Sequence, residues 1–230
     1  MNNLKTKIIA TVGPSCLDFN IFQNIVFQGI DYIRINSAYG DENQYNYILN
    51  NLNKVKKEKE IGTIWDIKEM GKLEYAITNN INIIALSFVE NVNQIAEIRK
   101  RIPNAFVISK IESKNGVINF DNILKVSDGI MVARGDLGKS VSLEKVPPLQ
   151  KEFTQKTICK KKFLITATEM LLSMVKNSEP TRAEVSDVAN AVFDQSSAVM
   201  LSEETAIGKY PVKSVEMMRK VIKEAEDWYY

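Results

Sequence analysis

Two apolar segments of this sequence end abruptly in charged residues. Phe106–Ile111 contains Lys110 and is followed by Glu112, and Gly129–Ala133 leads within three residues to Asp136. Because side chains on a β-strand alternate between its two faces, Lys110 and Glu112 should point the same way. One interpretation is an internal ion pair, since burying either charge alone would be costly. The other is a site for an anion and a metal ion, with Glu112 and Asp136 as ligands of one divalent cation.

The composition restricts the chemistry available to such a site. The sequence contains no histidine and two cysteines, Cys16 and Cys159, so a zinc site built from cysteine and histidine is excluded. Acid–base chemistry would have to come from lysine, carboxylates, hydroxyl groups or water. Any metal would be held by oxygen ligands, which are those that Mg²⁺ prefers.

The overall composition is that of a soluble globular protein. Of the 230 residues, 45% are hydrophobic and 25% are charged, and the formal net charge is +2 with the two signs interspersed. The basic residues lack interleaved aromatic side chains, which argues against nucleic acid as a partner. No apolar stretch approaches the roughly 18 residues of a membrane span, and the N-terminal residues lack the apolar core of a secretory leader. We therefore expect a cytoplasmic protein with no membrane partner.

Short apolar runs rich in β-branched residues alternate with longer amphipathic stretches. Eight runs are predicted strands: Lys7–Val12, Tyr32–Ile35, Gly62–Asp66, Ile83–Leu86, Phe106–Ile111, Gly129–Ala133, Phe163–Thr166 and Ala198–Leu201. The predicted helices are Asn20–Gln28, Glu42–Lys57, Lys72–Asn79, Val92–Arg101, Val117–Lys125, Pro148–Lys160, Arg182–Phe193 and Val212–Asp227. Strands apolar on both faces and separated by helices indicate a parallel sheet with covered faces. Eight such units predict an α/β fold, a single (βα)8 TIM barrel over residues 1–230.

In such a barrel the chemistry lies at the carboxyl ends of the strands. Seven polar residues fall at or just beyond these ends: Arg34, Asp66, Lys110, Glu112, Asp136, Thr168 and Ser202. The run Lys160–Lys162 precedes a strand, so it lies on the opposite rim and is interpreted as a solvated surface. The sequence therefore predicts one functional rim.

The motifs at these strand ends resemble those of the pyruvate kinase family. Seven segments match in order along almost the whole chain: Lys5–Pro14, Ile33–Asn36, Ser109–Glu112, Asp128–Gly138, Thr166–Leu171, Pro180–Glu184 and Met200–Ala206. The resemblance implies a glycolytic phosphotransferase that moves the phosphoryl group of phosphoenolpyruvate to ADP, giving pyruvate and ATP. It also implies Mg²⁺ as a cofactor, K⁺ as a second cation, and these small molecules as partners.

The resemblance further implies a role for each matched residue. Lys110 would neutralise the transferring phosphoryl group and the developing enolate oxygen, and Arg34 would bind the phosphate. Glu112 and Asp136 would bind Mg²⁺. The substrate carboxylate would be held by the Thr168 hydroxyl and by backbone groups of Arg134, Gly135 and Asp136.

Other matched positions have implied roles as well. The monovalent-cation pocket would be formed by Asn36, Asp66 and the Ile67 carbonyl, and the route of proton delivery would pass near Ser202 and Glu204. Without the resemblance, a helix cap or a core hydrogen bond would also explain Asn36, Thr168 and Ser202.

The sequence also departs from the family pattern. The strand Gly62–Asp66 runs almost at once into the helix Lys72–Asn79, whereas the family normally inserts a lid domain there, so we expect the lid to be missing near residues 68–72. The chain stops after its eighth helix, so no C-terminal allosteric domain is expected. Near the site, the family pattern is replaced at Ala38, Tyr39, Glu169 and Glu203. Because a lid excludes water and completes the site, we expect reduced activity.

Two other functions remain open at this point. A lyase or tautomerase could use Lys110 and Mg²⁺ to stabilise the enolate of a 2-oxo acid without a nucleotide. A non-catalytic barrel could serve as a binding partner, because the fold alone implies no activity. The rims left by missing domains would offer surfaces for a homo-oligomer or a hetero-oligomer.

Overall fold

The fold is built on eight strands. The computed structural model describes residues 4–56 and 60–229. The strands are β1 (Lys7–Thr11), β2 (Tyr32–Asn36), β3 (Gly62–Ile67), β4 (Ile83–Leu86), β5 (Phe106–Ile111), β6 (Gly129–Ala133), β7 (Phe163–Ala167) and β8 (Ala198–Leu201). They close a barrel in sequence order, so the predicted (βα)8 fold is confirmed. Four strands have the predicted bounds, and the other four differ by one residue at their carboxyl ends.

Helices connect successive strands. They are α1 (Phe19–Gln28), α2 (Glu42–Val55), α3 (Leu73–Thr78), α4 (Val92–Arg101), α5 (Lys114–Ile118), α6 (Phe120–Val126), α7 (Arg134–Val141), α8 (Val146–Cys159), α9 (Arg182–Phe193), α10 (Glu203–Ala206) and α11 (Pro211–Tyr229). Short 3-10 helices span Pro14–Cys16, Met70–Lys72, Leu143–Lys145 and Leu172–Val175. Within residues 4–56 and 60–229, no helix combines the length and the apolar character needed to cross a membrane.

Apart from shifts of one or two residues at the ends of several helices, the described helices differ from the prediction in three places. The predicted helix Val117–Lys125 is divided into α5 and α6 at Asn119, whose side-chain amide donates to the Glu90 carbonyl at 2.8 Å. Helices α7 and α10 were not expected, because α7 contains two glycines of low helix propensity and α10 is a single turn. Lys57, the last residue of the predicted second helix, lies outside the described residues, and α2 ends at Val55.

By its internal contacts the chain divides into two compact units. The first unit comprises the residues up to Gly62 together with those from Thr168 onward, and the second unit is Thr63–Ala167. In the first unit, β1 pairs in parallel with both β2 and β8. In the second unit, β3, β4, β5, β6 and β7 pair successively and in parallel. Parallel pairing brings the carboxyl ends of neighbouring strands to the same edge.

In the first unit, the last helix holds the beginning of the first strand. Glu226 of α11 is buried, and its carboxylate accepts the backbone N–H groups of Lys5 at 3.0 Å and Thr6 at 2.6 Å. Both residues directly precede β1. A carboxylate that accepts two N–H groups makes a charge-assisted contact, so α11 stabilises the start of the strand.

In the second unit, an aromatic pair anchors the short connection between β3 and α3. Trp65 of β3 is fully buried and stacks on Tyr75 of α3, with ring centroids 4.7 Å apart. Its indole N–H donates to the Lys72 carbonyl at 2.9 Å. The five residues between Ile67 and Leu73 are therefore held close to the strand by packing and by a hydrogen bond.

Candidate active site

The ammonium group of Lys110 is surrounded by acceptors from three neighbouring strands. Its Nζ lies 3.1 Å from Asp66 Oδ2 and 3.3 Å from Glu112 Oε1. The Ser87 hydroxyl lies 2.7 Å from the same nitrogen. All four side chains are buried, and they stand at or next to the carboxyl ends of β3, β4 and β5. Lys110 and Glu112 point the same way, as the alternation of a strand predicts.

The cluster combines one cation with two carboxylates. Burial raises the pKa of Glu112, and the nearby Lys110 and the Phe88 N–H only partly oppose this effect. Taking charges out of water is favourable only when partners replace the lost solvation, and the contacts to Lys110 provide that replacement. A fixed ammonium beside excess carboxylate charge can bind an anionic oxygen together with a second cation.

Ser87 and Phe88 belong to this cluster, although no sequence motif pointed to either. The Ser87 hydroxyl also lies 3.2 Å from Asp66 Oδ1, and the Phe88 N–H donates to Glu112 Oε2 at 2.7 Å. Phe88 has a φ of 51°, a left-handed conformation that is rare for a bulky residue and occurs often at functional sites. In the sequence, both residues stand just after a predicted strand, which is where site residues are expected. Serine and phenylalanine do not, however, indicate an anion or metal site by their type.

The segment that follows β6 is helical and starts with predicted site residues. The first three residues of α7 are Arg134, Gly135 and Asp136, and N–H groups of a first turn have no intrahelical acceptor. Such groups favour a carboxylate or a phosphate, which suits the predicted role. Arg134 Nε donates to the Ala167 carbonyl at 3.2 Å, and Asp136 Oδ1 accepts from the exposed Lys139 at 3.0 Å.

In the first unit, Arg34 is held by a chain of hydrogen bonds. The residue lies on β2 and is 6% exposed. Its Nη1 donates to Thr11 Oγ1 at 3.0 Å, and that hydroxyl donates to the Leu201 carbonyl at 2.9 Å. The Thr205 hydroxyl donates to the Thr11 carbonyl at 2.8 Å. These contacts position a guanidinium group whose five N–H donors match the geometry of a phosphate.

Two left-handed residues and one buried carboxylate shape the loops after β7 and β8. Thr168 and Glu169 have φ values of 77° and 56°, and a β-branched residue seldom adopts this conformation. Glu204 is fully buried and accepts the N–H groups of Leu171 at 2.9 Å and Ser202 at 2.7 Å. Burial raises the pKa of this carboxyl group. Glu204 therefore links the segments that carry the predicted residues Thr168 and Ser202.

The three residues predicted for a monovalent cation all have protein partners. Asn36 Oδ1 accepts the Ala38 N–H at 3.2 Å, and the Ile67 carbonyl accepts the Ser87 N–H at 2.8 Å. Asp66 forms the ion pair described above. Their role in binding K⁺ stays a prediction.

Glu112 and Asp136 fit Mg²⁺ by their chemistry and by their places in the second unit. Both offer carboxylate oxygens, and the pairing of β5 with β6 sets Ile111 opposite Val132, directly before the two site segments. Mg²⁺ commonly takes one or two carboxylates and completes its shell with water and substrate phosphate. Among the residues that the structure describes, no group of three or more acidic or cysteine side chains is arranged to hold a metal. A bound Mg²⁺ would therefore need ligands from water or substrate.

Comparison with known proteins adds independent information. The family model described as pyruvate kinase, barrel domain, matches residues 64–215. The chain is similar to the pyruvate kinase of Thermococcus litoralis, with 51% identity over 160 residues, covering 68% of this chain and 34% of that protein. For the pyruvate kinase of Dictyostelium discoideum the identity is 48% over 163 residues, covering 69% and 32%. For that of Chlamydia trachomatis serovar D it is 42% over 231 residues, covering 94% and 47%. The chain thus spans about a third to a half of the length of these relatives.

Proposed function

The chain belongs to the pyruvate kinase family, and we propose that it transfers the phosphoryl group of phosphoenolpyruvate to ADP, forming pyruvate and ATP. The observation that carries this proposal is the buried Lys110 ammonium, which is held by Asp66, Glu112 and Ser87. All four residues lie within the matched segment 64–215. Catalysis of phosphoryl transfer depends mainly on positioning and electrostatic stabilisation, and a fixed ammonium contributes to both.

The role proposed for Lys110 follows from the charge that develops in the reaction. Transfer breaks the bond between phosphorus and the enol oxygen, which leaves negative charge on that oxygen. An ammonium already fixed by its partners can stabilise this charge without reorganisation of the site. Protonation of the enolate carbon then gives pyruvate, and we place Ser202, whose N–H is bound by Glu204, near the source of that proton.

Further residues are proposed to bind the substrate. Arg34, which Thr11 orients, would bind the phosphate through its guanidinium group. The Thr168 hydroxyl and the first-turn N–H groups of α7, from Arg134, Gly135 and Asp136, would bind the substrate carboxylate. The left-handed backbone of Thr168 supports a functional role, because such strain persists only where the surroundings enforce it.

Two cations complete the proposal. Glu112 and Asp136 would hold Mg²⁺, which when bound supplies positive charge to the phosphate and the enol oxygen. The excess carboxylate charge around Lys110 supports a cation there. A K⁺ ion would be held by Asn36, Asp66 and the Ile67 carbonyl.

We also propose that the lid domain is absent from the β3–α3 connection. Five residues separate Ile67 from Leu73, and three of them form the 3-10 helix Met70–Lys72. This connection is bound to β3 through the indole N–H of Trp65. There is no room in it for an inserted domain, so any closure over the substrate would have to come from elsewhere.

The experiment is to incubate the purified chain with phosphoenolpyruvate, ADP, Mg²⁺ and K⁺, and to measure pyruvate and ATP separately. The test variant is Lys110→Met, and the matched control is Lys220→Met, which removes an exposed lysine on α11. We expect both products from the wild type and from the control. We expect a loss of about 100-fold or more in Lys110→Met, since removing a group that stabilises developing charge typically has this effect.

Circular dichroism of each variant shows whether a loss of activity is due to unfolding. Lys110→Arg is a second variant, which keeps the positive charge but displaces it. If the folded wild type forms neither product, the proposed function is wrong. Turnover of a 2-oxo acid without nucleotide would then favour a lyase or tautomerase, and no turnover would favour a non-catalytic barrel.

A further inference from the structure

The loop between β4 and α4 contacts the Lys110 cluster through three consecutive residues. Ser87 Oγ lies 2.7 Å from Lys110 Nζ, and Phe88 N lies 2.7 Å from Glu112 Oε2. The Val89 N–H donates to the Lys110 carbonyl at 3.2 Å. One loop therefore binds the ammonium, the carboxylate and the backbone of the strand that carries both.

The hydrogen bonds of the Ser87 hydroxyl have a defined direction. An ammonium group has three donors and no acceptor, so Lys110 donates to Ser87 Oγ. The hydroxyl proton can then be donated to Asp66 Oδ1, which lies 3.2 Å away. The ammonium thus faces three acceptor groups, which are two carboxylates and one neutral hydroxyl, and both oxygens of Asp66 lie within 3.2 Å of its nitrogen.

We propose that Ser87 is a positioning residue whose hydroxyl fixes the Lys110 ammonium between Asp66 and Glu112. Lys110 Nζ lies 3.1 to 3.3 Å from the carboxylate oxygens of Asp66 and Glu112, whereas it lies 2.7 Å from Ser87 Oγ. The shortest hydrogen bond allows the narrowest range of distance and angle, so the Ser87 hydroxyl restricts the position of the ammonium most closely. The effect on turnover rests on the proposed function, whereas the positioning itself does not.

Ser87 can act in this way because its own backbone is held on both sides. Its N–H donates to the Ile67 carbonyl of β3 at 2.8 Å. Further along the loop, the Glu90 carboxylate accepts from the Ser113 hydroxyl at 2.6 Å and from the Asn115 amide at 3.3 Å. The loop is thereby attached to β3 before Ser87 and to α5 after it, so the hydroxyl cannot easily follow a shift of the ammonium.

The position of the ammonium can be measured without substrate by NMR of lysine side chains. In a chain labelled with ¹³C,¹⁵N-lysine, the two Hε protons of a fixed lysine have different chemical shifts, and those of a mobile lysine coincide. The Lys110 signal is the one absent from Lys110→Arg. We expect separate Hε signals in the wild type and coincident signals in Ser87→Ala.

Ser109→Ala is the matched control. Ser109 precedes Lys110 on β5, is fully buried, and has its hydroxyl 2.7 Å from Ser127 Oγ. This substitution therefore also removes one buried hydroxyl group, but on the face of β5 opposite to Lys110. The Lys110 signals should stay separate in this variant. If Ser87→Ala does not fold, Ser87→Cys replaces the hydroxyl at nearly constant volume. Separate Lys110 signals in the Ser87 variant, or coincident signals in the wild type, would overturn the proposal.

Turnover provides the second measurement. We expect the kcat of Ser87→Ala to fall about tenfold or more, which is the usual effect of losing a hydrogen bond to a charged group. The KM for phosphoenolpyruvate should change less than about threefold, and Ser87→Thr should recover most of the kcat, since it restores the hydroxyl. An equal loss in Ser109→Ala would overturn the catalytic part of the inference. A wild type without turnover would count against the proposed function only, because the NMR result does not depend on it.

Discussion

Each buried charged side chain of this protein is held by a small number of directed partners. Lys110 has two carboxylates and a hydroxyl, and Glu204 has two backbone N–H groups. Such partners replace the water that a charge loses on burial. At the scale of the residue, directed partners therefore stabilise buried charges, and burial limits which groups are accessible to reagents.

The two cysteines provide a test of burial at this scale. Cys16 is fully buried, and burial raises its pKa to about 11, whereas Cys159 is exposed. The thiolate is the reactive form, and with this pKa roughly one Cys16 thiol in a thousand is ionised at about pH 8. We expect a disulfide reagent to modify Cys159 quickly and Cys16 only after unfolding in guanidinium.

The fast reaction should disappear in Cys159→Ser and persist in Cys16→Ser. Two fast thiols in the wild type would contradict the packing around Cys16.

At the scale of the element, one carboxylate connects α9 with the segment that precedes it. Glu184 accepts the N–H groups of Ser173 at 2.6 Å and of Thr181 at 2.7 Å, and Thr181 is the N-cap of α9. Burial by itself would raise the pKa of Glu184, but the hydrogen bonds from Ser173 and Thr181 outweigh it and lower that pKa. The ionised form of Glu184 is therefore the one that stabilises the folded chain.

This linkage predicts a pH-dependent effect of Glu184→Gln. Because the pKa is lower in the folded chain than in the unfolded chain, the stabilisation is present above about pH 4.3 and is lost as the pH falls through the folded pKa. We expect the variant to be less stable than the wild type by about 1 kcal/mol at neutral pH, a value reduced for partial exposure. The difference in the free energy of unfolding between the variant and the wild type should become smaller in acid.

Urea unfolding at neutral pH and near pH 3 measures both quantities. The control is Glu179→Gln at an exposed position, for which we expect no difference at either pH. The same destabilisation of Glu184→Gln at both pH values would refute the linkage.

At the scale of the whole molecule, the short β3–α3 connection has a consequence for product stoichiometry. A closing lid keeps water away from a reacting phosphoryl group, and we propose that the connection at residues 68–72 carries none. On the proposed function, we expect some phosphoryl groups to be transferred to water, so that the chain forms more than one pyruvate per ATP. The excess should increase as ADP becomes limiting.

Parallel assays of pyruvate, ATP and inorganic phosphate over a range of ADP concentrations measure this excess. Lys110→Met should show no excess above the spontaneous reaction. A ratio of one pyruvate per ATP at every ADP concentration would mean that the open connection does not admit water to the reaction.

The sequence by itself determined the order and the type of nearly all elements. Eight β-branched apolar runs separated by amphipathic segments predicted every strand to within one residue at its end. This succeeded because periodicity and chain length act locally, and because strands covered on both faces have a distinct composition. The common direction of Lys110 and Glu112 was also local, since alternation along one strand decides it.

Only the tertiary structure decided which groups meet at the Lys110 ammonium. Asp66 and Ser87 come from neighbouring strand ends, and the Phe88 N–H binds Glu112 beside them. These contacts depend on register and on a left-handed residue in a loop. Neither feature has a local signature, because serine and phenylalanine occur after strands for many reasons. At Asn119, where one predicted helix is divided, the side-chain amide likewise contacts a residue distant in sequence. Non-local contacts of this kind form only once the strands are paired.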